Sequence, residues 1–229
     1  VGIFWSLVFL ISGVLNFATG EFVMLRGMLT WVYLQAGFSL PVAGLLAIGS
    51  TTIIAVIFER IVIRPVRYPS EATYILITIA SAAVIKGIVL ITCGSETRQI
   101  QSFVQAAPIR IREATLMPQV IIVIGVLILV TVGLLLFLNK TLLGKALRAS
   151  SINQTGARLT GINIDRMRLF CFGLAGGLGA LAGLVITPIT FTGYNIGVLT
   201  SLKGLVVAIV GGWSIGGTVA AGVLLGLLE

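Results

Sequence analysis

The sequence predicts an all-α, polytopic transmembrane helical bundle of about seven spans. Composition is the first observation behind this: 58% of the 229 residues are hydrophobic and only 10% are charged, a balance that dissolved globular domains do not have. Mean hydropathy is +1.15. Several runs also approach or exceed about eighteen residues with at most one charge, the length that crosses ~30 Å of hydrocarbon at ~1.5 Å per residue.

Taken in order, the first span is expected over roughly 1–17, followed by a polar knot of Asn16, Thr19, Gly20 and Glu21. A second span covers about 22–36 and is interrupted by Arg26. Residues 37–41 form a short turn, and a third span runs over about 42–58. A basic connector, 59–71, carries Arg60, Arg64, Arg67, Pro65 and Pro69. The fourth span, about 72–92, contains Lys86, which is expected to snorkel outward. A mixed loop at 93–117 holds Glu96, Arg98, Arg110, Arg112 and Glu113. The fifth span is about 118–138 and the sixth 169–187, with a thirty-residue polar segment, 139–168, between them. Residues 188–199 are uncharged and turn-rich. The apolar tail, 200–229, is broken by Gly211-Gly212 and Gly216-Gly217. It reads as two half-helices around an unwound turn, with an ordinary span and a tight turn as the alternative. The chain opens at Val1 inside one apolar run and closes at Glu229 beside another, so it reads as a fragment cut at both ends.

Charge orients these spans. The connectors 59–71 and 139–168 together hold nine Lys/Arg, whereas the loops 37–41, 93–117 and 188–199 hold three. The positive-inside rule places the first pair in the cytosol, and with it the Asn16–Glu21 knot near the cytosolic face. The same rule accounts for a net charge of +8 without nucleic acid.

Catalytic and metal chemistry have little material here. The absence of histidine removes the commonest general base and metal ligand, and no cofactor is expected in this chain. Cys93 and Cys171 form no CxxC pair and read as packing residues. A GxxxxGK[ST] phosphate loop is missing, so any ATP used must be bound by another chain. Span six carries Gly173, Gly176, Gly177, Gly179, Ala180 and Gly183, small residues that let helix backbones approach closely.

The segment 139–168 is the most informative part of the chain. It has six basic side chains and one acid, Asp165. Leu143, Leu147, Ser151, Thr155 and Leu159 recur at four-residue spacing, a moderately amphipathic helical stripe. Gly161 is placed to end that helix in a left-handed turn, and Asn163 or Asp165 to cap the helix that becomes span six. The expected shape is a short helix, a sharp corner and a span. A solvated loop that only sets topology is the plainer reading.

The residues from Gly144 to Arg166, GKALRASSINQTGARLTGINIDR, followed by a Gly/Ala-rich span, resemble the cytosolic coupling segment of permease subunits in branched-chain amino-acid ABC importers, the LivH/LivM family. The run Asn16 to Phe22, with Met24-Leu25, resembles that family's signature between first and second spans. Lys203-Gly204, Gly211-Gly212, Ser214-Ile215 and the end from Gly222 resemble its late glycine-rich signature. Thr19, Arg26 and Gly216 depart from it: the family usually has His, a small residue and Pro there.

The resemblance implies one permease domain over 1–229 with its coupling segment at 139–168. It also implies that Gly144, Ala146, Arg148, Ala149, Ala157, Leu159, Gly161, Ile162, Asn163 and Asp165 meet the ATPases. The expected partners are a second, LivM-like permease, two cytosolic ABC ATPases, an extracytoplasmic substrate-binding protein and the lipid of a bacterial inner membrane. The expected cargo is an amino acid, branched aliphatic by resemblance, passing Asn16, Glu21 and Lys203. A sugar or amide permease of the same architecture is the nearest rival. A stand-alone secondary transporter or channel would need intramembrane acids, of which Glu21 is the one candidate. A membrane enzyme would need a convergent catalytic set, and none is visible.

Overall fold

The computed structural model describes residues 1–66, 70–100, 109–111, 114–116 and 118–228. Arg67, Pro69, Arg112, Glu113 and Glu229 lie outside the described residues.

Each of the seven apolar segments forms helix. In chain order they are α1 (Gly2–Ser12), α2 (Thr19–Gln35), α3 (Leu40–Phe58) with a π turn at Glu59–Ile63, α4 (Glu71–Cys93), α5 (Pro118–Lys140), α8 (Ile164–Thr190) and the pair α9 (Ile196–Val210) and α10 (Ile215–Leu228). Between α5 and α8 lie two short helices, α6 (Leu142–Ile152) and α7 (Gln154–Leu159). The loop before α5 contains a small antiparallel hairpin, β1 (Ile109–Ile111) with β2 (Ala114–Leu116), in the register Ile109 opposite Leu116.

Local chemistry sets the helix ends. Pro41 sits in the first turn of α3, where its missing N–H costs nothing. Ser70 accepts a hydrogen bond from the Thr73 N–H and Glu71 follows in the first turn, so α4 begins at a capped, dipole-matched terminus. Among the described residues four stretches are long and apolar enough to cross a bilayer, Leu40–Ile63, Glu71–Cys93, Pro118–Lys140 and Ile164–Thr190, and α9 with α10 qualifies as a fifth if the bent pair is one span.

Helices α2 and α8 form the centre. The glycines of α8 face their neighbours: a Cβ at Gly176 would press on Ala55, one at Gly179 on Phe4, and one at Gly183 on Arg26. Close backbone approach, expected from sequence, is what those glycines provide. Phe4, Phe22, Phe58 and Phe172 tie α1, α2, α3 and α8 together, with ring centroids 6.0, 5.4 and 6.4 Å apart in succession. Helices α4 and α5 are peripheral and present Leu76, Ile91, Leu129 and Leu136 outward.

Two expectations require correction, and the tail takes the broken form expected of it. The Asn16–Glu21 knot, expected near the cytosolic face, is enclosed by protein. The Thr78 hydroxyl, seven residues into α4, accepts the Phe17 N–H at 3.2 Å, and Asn16 and Thr19 are wholly buried. The chain therefore unwinds inside the protein between α1 and α2. Such a break persists because other groups satisfy the freed backbone: the Asn16 side chain accepts the Ala18 N–H at 3.0 Å and Ser12 accepts the Val14 N–H at 3.2 Å. In the tail, as expected, α9 and α10 are two half-helices around Gly211–Ser214, and the bend between them is 120°. The stripe expected as one helix across 143–159 is interrupted at Asn153, and Leu143, Thr155 and Leu159 are exposed. Its buried face is instead Gly144, Leu147 and Ser150.

The expected pairing of loops holds. Arg60 and Arg64 of the first basic connector line one cavity with Asn163 and Arg166 of the second. At the other end Arg98 and Thr192 exchange backbone hydrogen bonds of 2.6 and 2.8 Å, and Arg98 lies 4.4 Å over the Trp31 ring.

Candidate functional site

Two places carry polar chemistry: the corner built by α6, α7 and the start of α8, and a buried polar belt around the α1–α2 break.

The corner is held by three side-chain caps. Thr141 accepts the Gly144 N–H at 3.0 Å, Asn153 the Gly156 N–H at 2.9 Å and Asn163 the Arg166 N–H at 3.0 Å. Of the two residues proposed to start α8, Asn163 is the cap and Asp165 sits in the first turn. Gly161 has φ of 84°, as its expected role requires. Its N–H bonds to the Arg158 carbonyl and the Ile162 N–H to the Ala157 carbonyl, both at 3.0 Å. Those two bonds are a Schellman motif, which closes α7 and fixes the angle at which the chain enters α8.

The base of the corner is packed. A Cβ at Gly144 would overlap the Phe137 carbonyl, Leu147 is wholly buried, and Ala157 is buried. Arg148 donates to the Asn139 side chain. Ala146, Ala149 and Ile162 are half-buried, while Arg148, Leu159, Gly161, Asn163 and Asp165 are exposed. The corner also presents apolar residues that the spacing argument missed: Leu142 and Ile152 are 86% and 84% exposed, alongside Leu159 at 85%. They lie off the buried 144/147/150 face, and that mismatch is a signal a sequence can carry. Each leaves roughly 1.5–3 kcal/mol of burial unrealised within this chain.

The polar belt follows α2. Gly20 and Gly197 touch, because a Cβ at Gly20 would overlap the Gly197 carbonyl. That contact brings Glu21, 2% exposed, against the backbone that starts α9, and one Glu21 carboxylate oxygen has no hydrogen-bond partner. Lys86 reaches the same neighbourhood, donating to Asn195 Oδ1 at 2.6 Å and lying 5.3 Å from the Tyr194 ring. Arg26, one turn further along α2, is wholly buried. Its Nη1 donates to the Thr187 hydroxyl at 3.5 Å, while Nε and Nη2 have no partner. Glu21 and Arg26 form no ion pair; the one side-chain salt bridge among the described residues is Arg98–Glu96 at 3.2 Å.

Of the three residues expected on the pathway, Asn16 and Glu21 share this belt. Lys203 does not: it lies on the exposed side of α9, off the buried line of Gly197, Ser201, Gly204 and Ala208. No group of three or more Cys, Asp or Glu suited to a metal occurs among the described residues.

A family model described as "Branched-chain amino acid transport system / permease component" matches residues 1–229. The chain is 27% identical over 251 residues to the high-affinity branched-chain amino acid transport system permease protein BraD of Pseudomonas aeruginosa, covering all of this chain and 80% of that protein. It is 26% identical over 248 residues to the permease protein LivH of the same type of system in Escherichia coli, covering all of this chain and 79% of that protein. It is 29% identical over 218 residues to the autoinducer 2 import system permease protein LsrC of Salmonella choleraesuis, covering 92% of this chain and 59% of that protein. No solved structure matches the chain.

Proposed function

Since this chain belongs to the branched-chain amino acid transport system permease family, we propose that it is the membrane-spanning subunit of an ATP-driven importer of amino acids, branched aliphatic ones foremost. In this reading residues 1–229 act as one permease unit whose segment 139–168 meets the ATPases. It pairs with a second, LivM-like permease in the bacterial inner membrane. Two cytosolic ATPases seat on the corner, and an extracytoplasmic binding protein delivers the solute.

The observation that carries the reading is the corner itself. Exposed Leu142, Ile152 and Leu159 offer an apolar seat, and the Schellman turn and Asn163 cap join that seat rigidly to a 27-residue helix. Through Gly183 the same helix presses on Arg26 in the polar belt. A push on α6–α7 is thereby delivered to α2, beside the unwound backbone and Glu21. Discontinuous helices with charged residues near them are where transporters hold solutes, so Asn16, Glu21 and Arg26 are the proposed pathway groups.

Gly161→Pro tests it. Proline cannot adopt φ of 84° and has no N–H for the Arg158 carbonyl. Uptake should be lost while the permease still inserts and still binds its ATPases, leaving ATP hydrolysis uncoupled from transport. Uptake at the normal rate would refute the coupling role. The similarity to a protein named an autoinducer 2 permease favours a second reading, a sugar or amide solute carried by the same architecture. Exchanging the binding protein and measuring uptake of each solute separates the two.

A further inference from the structure

Where α3 ends and α8 begins, a cavity of about 360 Å³ is lined by Arg60, Arg64, Asn163, Asp165, Arg166 and Leu169. Three guanidinium groups face one carboxylate there, and none makes an ion pair within the described residues. Glu59 and Arg168 are the further charges at this corner. Glu59 is 1% exposed, with neither oxygen hydrogen-bonded. Arg60, Arg64, Arg166 and Arg168 against Glu59 and Asp165 leave an excess of two positive charges (four minus two). The π turn shapes this wall, with the Arg64 N–H bonding five residues back to the Glu59 carbonyl at 2.8 Å. Such turns recur at functional sites.

The cavity does not end blindly. Arg166 and Leu169 also line a second, almost wholly apolar groove of about 670 Å³ that continues between α3 and α8 past Thr52, Val56, Gly173 and Gly177. Gly173 and Gly177 leave this groove open because they carry no side chain. The arginine-lined cavity therefore opens directly onto an apolar groove running between α3 and α8.

We propose that this corner binds an anionic glycerophospholipid of the cytosolic leaflet, its phosphate held by Arg60, Arg64 and Arg166 and an acyl chain laid along the α3–α8 groove. Guanidinium forks match phosphate oxygens in bidentate geometry, and basic pockets between spans on the cytosolic side suit anionic headgroups. A protein carboxylate would answer the arginines but leave the groove unfilled; one lipid fills both. The site is independent of the transported solute and does not rest on the transport reading.

Its test uses the intact permease complex in neutral detergent, with retained phosphatidylglycerol counted by native mass spectrometry. Titrations with long-chain phosphatidylglycerol, its dihexanoyl form and inorganic phosphate follow. The wild type should hold about one long-chain anionic lipid at this site in preference to phosphatidylcholine. Joint substitution Arg60→Gln, Arg64→Gln and Arg166→Gln should weaken it at least ~10-fold, with the permease still inserted and its own melting temperature little changed. Lys140→Gln, a cation at the inner end of α5 outside the cavity, should leave it as in the wild type. Gly177→Leu should weaken long-chain binding and spare inorganic phosphate. Unchanged retention in the triple variant, equal loss in Lys140→Gln, or displacement of the lipid by millimolar phosphate would each overturn the proposal.

Discussion

Arg26 carries the sharpest residue-scale consequence. A guanidinium wholly removed from solvent, with one hydroxyl at 3.5 Å and two nitrogens unpartnered, costs several kcal/mol to bury. Arg26→Met keeps most of the volume and removes the charge, so it should raise the melting temperature of the purified permease. If the charge works on the solute, the same substitution should lower uptake at least ~10-fold. A lower melting temperature would show that Arg26 is satisfied by something the bundle itself provides. Sequence alone registered Arg26 as a charge in a span beside Glu21, but five-residue spacing could not say whether the two were paired. They are not, because Glu21 turns toward Gly197 and Arg26 toward Gly183 and Thr187.

Two predictions belong to the helices and their joints. In α8, Gly176→Val would drive a branched side chain into Ala55 of α3 and should destabilise the protein by ~1–3 kcal/mol, read as a fall in thermal midpoint. At the other end of that helix, Asn163→Ala removes the acceptor for the Arg166 N–H. It should cost ~1 kcal/mol and speed amide hydrogen exchange locally over 164–167. Exchange unchanged there would mean that the cap does not hold the corner. The stop and start at the corner were legible because they depend on neighbours in sequence: Gly161 for the turn and Asn163 for the cap. The break at Asn153 was not, because the i+4 repeat runs straight across it. What settles the buried face is the contact of Gly144 with Phe137 in α5, a tertiary fact.

At the scale of the molecule, class and loop pairing were legible because hydrocarbon sets span length and charge sets sidedness. The interior was less so. Hydropathy cannot distinguish a polar knot at the surface from one held inside by Thr78 and Asn16, and paired glycines mark the break at Gly211–Ser214 without giving its 120° angle. The first of these features borders the proposed pathway, where backbone freed from helix is tolerated only with protein around it. The wider claim is that α6–α7 stands in the cytosol as the seat of an ATPase and moves α8 from there. A membrane-impermeant maleimide tests it most directly, on Ile152→Cys in a Cys93→Ser background. The label should react in inside-out vesicles stripped of ATPase, be blocked when ATPase is added back, and fail to react in intact cells. Reaction from outside intact cells would contradict the account.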